Sequence, residues 1–137
     1  MSLKGVKPVI YLDWINRNFV RDHPNDIFIF GDNILRSGFG GQAKEMRGEL
    51  NAVGVMTKRK PTMDSDAFLS DDNPTDMMNV ATDLMRVMGY VNLGYQIYAP
   101  KKGLGTERAR LKEKAPKIHA FIVDFFRELS DGNFPWE

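Results

Sequence analysis

Ile27-Phe28-Ile29-Phe30 sets four large apolar residues in a row and runs straight into Gly31-Asp32-Asn33. A half-exposed strand alternates apolar and polar residues, so an unbroken apolar run predicts a strand covered on both faces, the position of a central parallel strand. Such a strand needs helices above and below it. The flanking sequence provides them. Val9-Ile10-Tyr11-Leu12 reads as a first strand, followed by Trp14, Ile15, Phe19 and Val20 at helical spacing, with Asp13 as N-cap and a stop before Pro24. Residues 42–50 read as a short helix, 52–56 as a second buried strand, and 57–73 as a polar, acidic loop. Asn73-Pro74-Thr75-Asp76 opens a helix with Asn73 as N-cap. Its core positions are Met77, Val80, Ala81, Leu84, Met85 and Met88, up to Gly89. Tyr95 to Ala99 is another strand, and a last helix from Pro116 turns Ile118, Phe121, Ile122, Phe125 and Leu129 inward before closing at Asp131-Gly132. The expectation is one α/β domain over residues 1–137, a three-layer α/β/α arrangement around a mixed, mostly parallel central sheet.

What the chain lacks narrows the chemistry. Cysteine is absent, which excludes disulfides, thiolate metal sites and a cysteine nucleophile. His23 and His119 are the only histidines, too few for a histidine-rich metal centre. Lys+Arg number 19 against 18 Asp+Glu, so the net charge of +1 carries no global argument for nucleic acid. No apolar run reaches the roughly 18 residues a membrane span requires. Met1-Ser2-Leu3-Lys4-Gly5 lacks a signal-peptide core, so the expected location is the cytoplasm. The acidic stretch Asp64, Asp66, Asp71, Asp72 and Asp76 has neither the glycine nor the glutamate of a calcium loop, and reads as a solvated segment leading into a capped helix. No metal and no cofactor are expected.

The chemistry concentrates in two glycine loops. The first is Gly31-Asp32-Asn33, then Gly38-Phe39-Gly40-Gly41-Gln42-Ala43, where a buried strand ends and a helix opens. Ligands of open α/β sheets bind at the carboxyl ends of strands, and glycines let backbone amides approach an anion. The helix start lacks the Gly-Lys-Ser/Thr of a P-loop, and no acidic ribose partner stands at the dinucleotide-fold offset. The second loop, Gly103-Leu104-Gly105-Thr106, also follows a strand, and the pair is suited to clasp a diphosphate; the plainer alternative is a tight strand-to-helix turn at the first loop and a surface turn at the second.

This order of strand, Asp32-Asn33, glycine loop and later Gly103-Leu104-Gly105-Thr106 resembles the macro domains, most closely a small branch found in phages and bacteria. The resemblance spans about residues 26–122, including Lys44 to Gly54, Thr57-Lys58 and Ala115-Pro116. It implies binding of ADP-ribose or a related nucleotide. Asn33, Gly38, Gly40 and Gly41 would form one side of that site, and Gly103, Gly105 and Thr106 the other; Gly31, Asp32 and Gln42 adjoin the first loop as further candidate ligand contacts, Asp32 without a counterpart in the family motif. Asn33 would face the distal ribose. Apart from the resemblance, Lys58 and Lys101 belong to two basic clusters that could face phosphate, a solvated loop being the plainer reading of each. Glu107 follows Thr106 where the family pattern has glycine, and a carboxylate there repels phosphate unless it points away.

Hydrolysis of an ADP-ribosyl linkage would need a water near that ribose, for which Asp32 and Asn33 are the candidate catalytic residues. A non-catalytic sensor on the same scaffold is one alternative. Another is a phage or bacterial module that binds nucleic acid or protein through Lys58, Arg59, Lys60, Lys101 and Lys102. For Phe134-Pro135-Trp136 the alternatives are docking on the body or contact with a partner.

Overall fold

The computed structural model describes residues 6–136. Met1 to Gly5, on which the leader argument rests, lie outside the described residues. Four strands, β1 (Ile10–Leu12), β2 (Ile27–Asn33), β3 (Ala52–Lys58) and β4 (Ile97–Pro100), form one sheet in the order β1-β4-β2-β3. Every neighbouring pair in it is parallel, so the fold is α/β with no antiparallel strand in the sheet. Five α-helices accompany them: α1 (Arg17–Asp22), α2 (Ala43–Met46), α3 (Pro74–Asn92), α4 (Leu111–Lys114) and α5 (Pro116–Glu128).

The unbroken apolar run behaves as its composition requires. Ile27 and Ile29 join a large core with Val80, Leu84 and Val87 of α3 and Ile118, Ile122 and Phe126 of α5. Phe28 and Phe30 join a second cluster with Ile15, Val20, Ala43 and Met46 beside α1 and α2. Successive residues of a strand point to opposite faces, so one strand supplies both clusters.

Several local expectations change. Asn16, not Asp13, caps the first helix, its Oδ1 accepting the Phe19 amide at 2.8 Å. The helix expected over 42–50 is a single turn, because Arg47 swings to an extended conformation and Gly48 takes a φ of +92°. Helix α3 continues past Gly89 to Asn92. Met85 is exposed, since it lies one position (about 100°) beyond Leu84 on the helical wheel. Along α5 the inward residues include Val123 and Phe126, while Phe121 is exposed and Phe125 only partly covered. Trp136 docks on the body: its indole N–H donates to the Pro100 carbonyl at 2.9 Å, against Tyr11 and Phe126. No helix among the described residues is long and apolar enough to cross a membrane.

Candidate functional site

Strands β2 and β4 pair only at Ile27–Ile97 and Phe28–Tyr98. Beyond that point β2 stays with β3, while β4 continues alongside β1. The chain leaves β2 toward the α2 side of the sheet and leaves β4 toward the α5 side. A crevice therefore opens at the carboxyl ends, as expected where strand connections diverge. It is a cleft of about 640 Å³, and both glycine loops line it.

The first loop is held by charge. Asp32 is buried, and Arg47 binds both of its carboxylate oxygens, with Nη2 to Oδ1 at 2.5 Å and Nη1 to Oδ2 at 3.3 Å. Arg36 adds a contact of 3.5 Å to Oδ2, and the Asn33 amide donates to Oδ1. Arg47 also donates from Nε to the Gly38 carbonyl at 2.6 Å and from Nη2 to the Ser37 carbonyl, so one guanidinium ties the loop to the end of β2. Arg36, in a left-handed conformation (φ +53°), reaches on to buried Asp83 of α3 at 2.7 Å. Asp83 in turn accepts the Met56 amide of β3 at 2.8 Å. This chain of charges links loop, strands and helix. It depends on Gly54, where a Cβ would come within 2.8 Å of the Asp32 Cβ.

The second loop is held by packing. Leu104 and Ala109 are buried, and the Leu111 amide donates to the Gly105 carbonyl at 3.0 Å. Gly105, at φ +72°, sits where a Cβ would stand 3.0 Å from both Leu111 and Thr57 side chains. Thr57 is the extra residue of a bulge in β3, since Asp32 pairs with Met56 but Asn33 pairs with Lys58. The loop thus rests against β2: a Cβ on Gly31 would lie 3.4 Å from the Gly105 amide nitrogen.

Between them the loops expose backbone. Among the described residues, the amides of residues 37–42 and 104–109 donate to no other described group. Asn33 is buried, its Nδ2 donating to the Ser37 carbonyl at 2.7 Å. Its Oδ1 is buried without a partner among the described residues. A buried unmet acceptor costs about 1–3 kcal/mol and calls for a donor. Trp14 and Phe39, both largely exposed, stand on the same cleft.

The remaining expected residues divide. Gly31, Gly38, Gly40, Gly41, Gly103, Gly105 and Thr106 all border the cleft. Gln42 borders it too, but its side-chain amide is engaged by the Ile15 backbone, accepting from N and donating to O, both at 2.8 Å. The short α2 also removes the helix-dipole argument, since the Ala43 and Lys44 amides are used within the turn. Lys58 lies at the cleft with its ammonium donating to the Thr62 carbonyl above the Phe68 ring. Burial, and then the nearby Arg108 charge, hold it below the ordinary lysine value. Lys101 misses the cleft and stands 3.8 Å from Asp13, whereas Lys102 lines it.

Asp32 has no oxygen free of an arginine, so its role as a base finds no support. Arg59 is bound to buried Asp76 at 2.6 Å and Lys60 to Asp66 at 2.5 Å, so most of the first basic run is neutralised internally. Asp71 caps α5, accepting the Lys117 and Ile118 amides. Among the described residues no group of three or more His, Cys, Asp or Glu side chains is placed to hold a metal.

Sequence reasoning missed Arg47, Arg108, Gly54 and Asp83. Only Asp83 left a signal, an aspartate seven residues after Asp76 within the apolar stripe of α3. Over residues 10–125 the chain matches, and belongs to, a protein family of unknown function, DUF7831. No curated protein and no solved structure matches it.

Proposed function

We propose that this DUF7831 member binds a phosphate-bearing nucleotide of the ADP-ribose type in the cleft between its glycine loops. The observation that carries the reading is that two runs of unpaired backbone amides, residues 37–42 and 104–109, border one crevice at the divergence of β2 and β4. Amides in glycine turns are suited to anionic oxygens, and each charge-assisted hydrogen bond contributes about 1.5–3 kcal/mol. Lys102 and Arg108 add cationic charge at the same cleft. The unpartnered Asn33 Oδ1 suits a ligand hydroxyl, as a ribose would supply. Trp14 or Phe39 offers a plane for a base. Hydrolysis is not part of the proposal, because Asp32 is occupied by Arg47 and Arg36.

Thermal denaturation with ADP-ribose, ADP, NAD and inorganic phosphate tests it. A ligand at 100 times its Kd adds about 2.7 kcal/mol of stability, so ADP-ribose should raise Tm visibly. Gly40→Val should remove the shift while the free protein still folds, since a Cβ there meets only Arg108 Nη1, at 3.6 Å. If none of the nucleotides moves Tm at millimolar concentration, the reading fails.

A further inference from the structure

The cations of this domain are sorted. Arg17 pairs with Glu49, Arg36 with Asp83, Arg47 with Asp32 and Arg59 with Asp76. Lys102, Arg108, Arg110 and Lys112, by contrast, make no ion pair among the described residues, and all four are exposed in one short segment. Only Glu107 interrupts them in sequence, and Glu113 follows Lys112. A net charge of +1 therefore conceals a rim with a local excess of positive charge.

That rim borders a second depression, of about 510 Å³, on the other side of Gly105-Thr106-Glu107 from the first cleft. Lys102 and Glu107 line both; Lys101, Arg110, Lys112, His119 and Glu113 line only the second, so four cations there face two carboxylates. Trp136 closes its far wall. The crowding of positive charge registers on the neighbours: burial and then Lys112 hold the His119 imidazole below its ordinary value, as burial and Arg108 do for Lys58. The second glycine loop thus has an excess of cations on both sides, with Glu107 bordering both hollows.

We propose that this depression is a second phosphate subsite, and that the chain seated across the two is single-stranded nucleic acid, its terminal nucleotide in the first cleft. The proposal rests on the nucleotide reading of that cleft. Repeated phosphates suit two basic hollows separated by one loop, which a single mononucleotide would not fill. The exposed rings of Trp14 and Phe39 favour unpaired bases over an acidic peptide, because stacking on an aromatic face accepts any base. The cations line hollows rather than a broad face, which disfavours a duplex.

The test compares wild type with Arg110→Asn/Lys112→Gln, asparagine being chosen because Arg110 holds a φ of +46° that asparagine tolerates. Binding of an internally labelled single-stranded hexanucleotide is followed by anisotropy against salt, and ADP-ribose binding by Tm. The double variant should bind the hexanucleotide roughly tenfold more weakly, with a log–log salt slope shallower by about 1.4, and should keep the ADP-ribose shift. Equal hexanucleotide binding by both proteins overturns the proposal. So does equal affinity for polyglutamate, or a hexanucleotide that binds no tighter than ADP-ribose. If Gly40→Val removes the ADP-ribose shift but not hexanucleotide binding, the strand does not enter the first cleft and the proposal falls, while the reading of that cleft stands. Loss of ADP-ribose binding in wild type, with hexanucleotide binding still sensitive to Arg110 and Lys112, overturns the ligand proposed for the cleft and upholds the basic subsite.

Discussion

The two glycine loops face one cleft but are built by opposite means. The first is held by ions: Arg47 joins the Ser37 and Gly38 carbonyls to Asp32, and Arg36 carries the chain on to Asp83. The second is held by Leu104, Ala109 and the fit of Gly105 between Leu111 and Thr57. Where arginines bind buried carboxylates they fix backbone and have less charge to offer a ligand. Where packing fixes the backbone, Lys102 and Arg108 make no ion pair among the described residues. The difference separates two uses of positive charge within one site.

The comparison breaks most severely at Asp32. Asp32→Ala leaves Arg47 and part of Arg36 without a counter-charge, and removing one partner of a buried pair costs about 3 kcal/mol or more. Urea unfolding should show that loss, with the first loop disordered by NMR and the second intact. Gly105→Ala is the matching lesion in the second loop. A positive φ and crowding at 3.0 Å should together cost about 2 kcal/mol, and the drop in Tm from wild type should stay the same as ionic strength changes, whereas the drop in Asp32→Ala should vary with it.

Asn33→Ala sharpens the distinction between scaffold and site. It forfeits the bond to the Ser37 carbonyl, worth about 1 kcal/mol, yet removes an unmet acceptor at the same time. Urea unfolding should therefore change little, while calorimetry should find ADP-ribose binding weakened roughly tenfold, one hydrogen bond's worth. Glu107→Gln should have the smallest effect. The residue is exposed between the two hollows, so stability should be unchanged and anion affinity should rise a few-fold at low salt. Affinity unchanged by that substitution would show that the carboxylate faces away from the ligand.

Sequence patterns made the scaffold legible where the information is local. Ile27 to Phe30 announced a strand covered on both faces, Asn73-Pro74 announced the start of α3, and the glycines marked both loops. The Asn73 cap is made, its Oδ1 accepting the Thr75 amide. What stayed hidden depends on distant partners. Asp32 invited a chemical role because nothing nearby shows that Arg47 will close on it from 15 residues away. Arg59 and Lys60 looked like a binding patch because their partners Asp76 and Asp66 lie beyond local reach. Gly54 looked like any strand glycine, and its purpose, room for the Asp32 carboxylate, exists only once β2 and β3 are paired. Charge is thus a poor guide to a site until each ion has been matched with its counter-ion.

The parting of β2 from β4 after two register pairs has a kinetic consequence. Amide protons at Ile29 and Phe30 belong to a buried ladder and exchange with solvent only when the sheet opens. Those of residues 37–42 and 104–109 have no acceptor among the described residues and should exchange within the dead time of a deuterium-labelling experiment. A border between slowly and rapidly exchanging protons therefore runs along the lip of the cleft. An occupant would be seen as late labelling on the fast side alone, a footprint that requires no knowledge of what the occupant is.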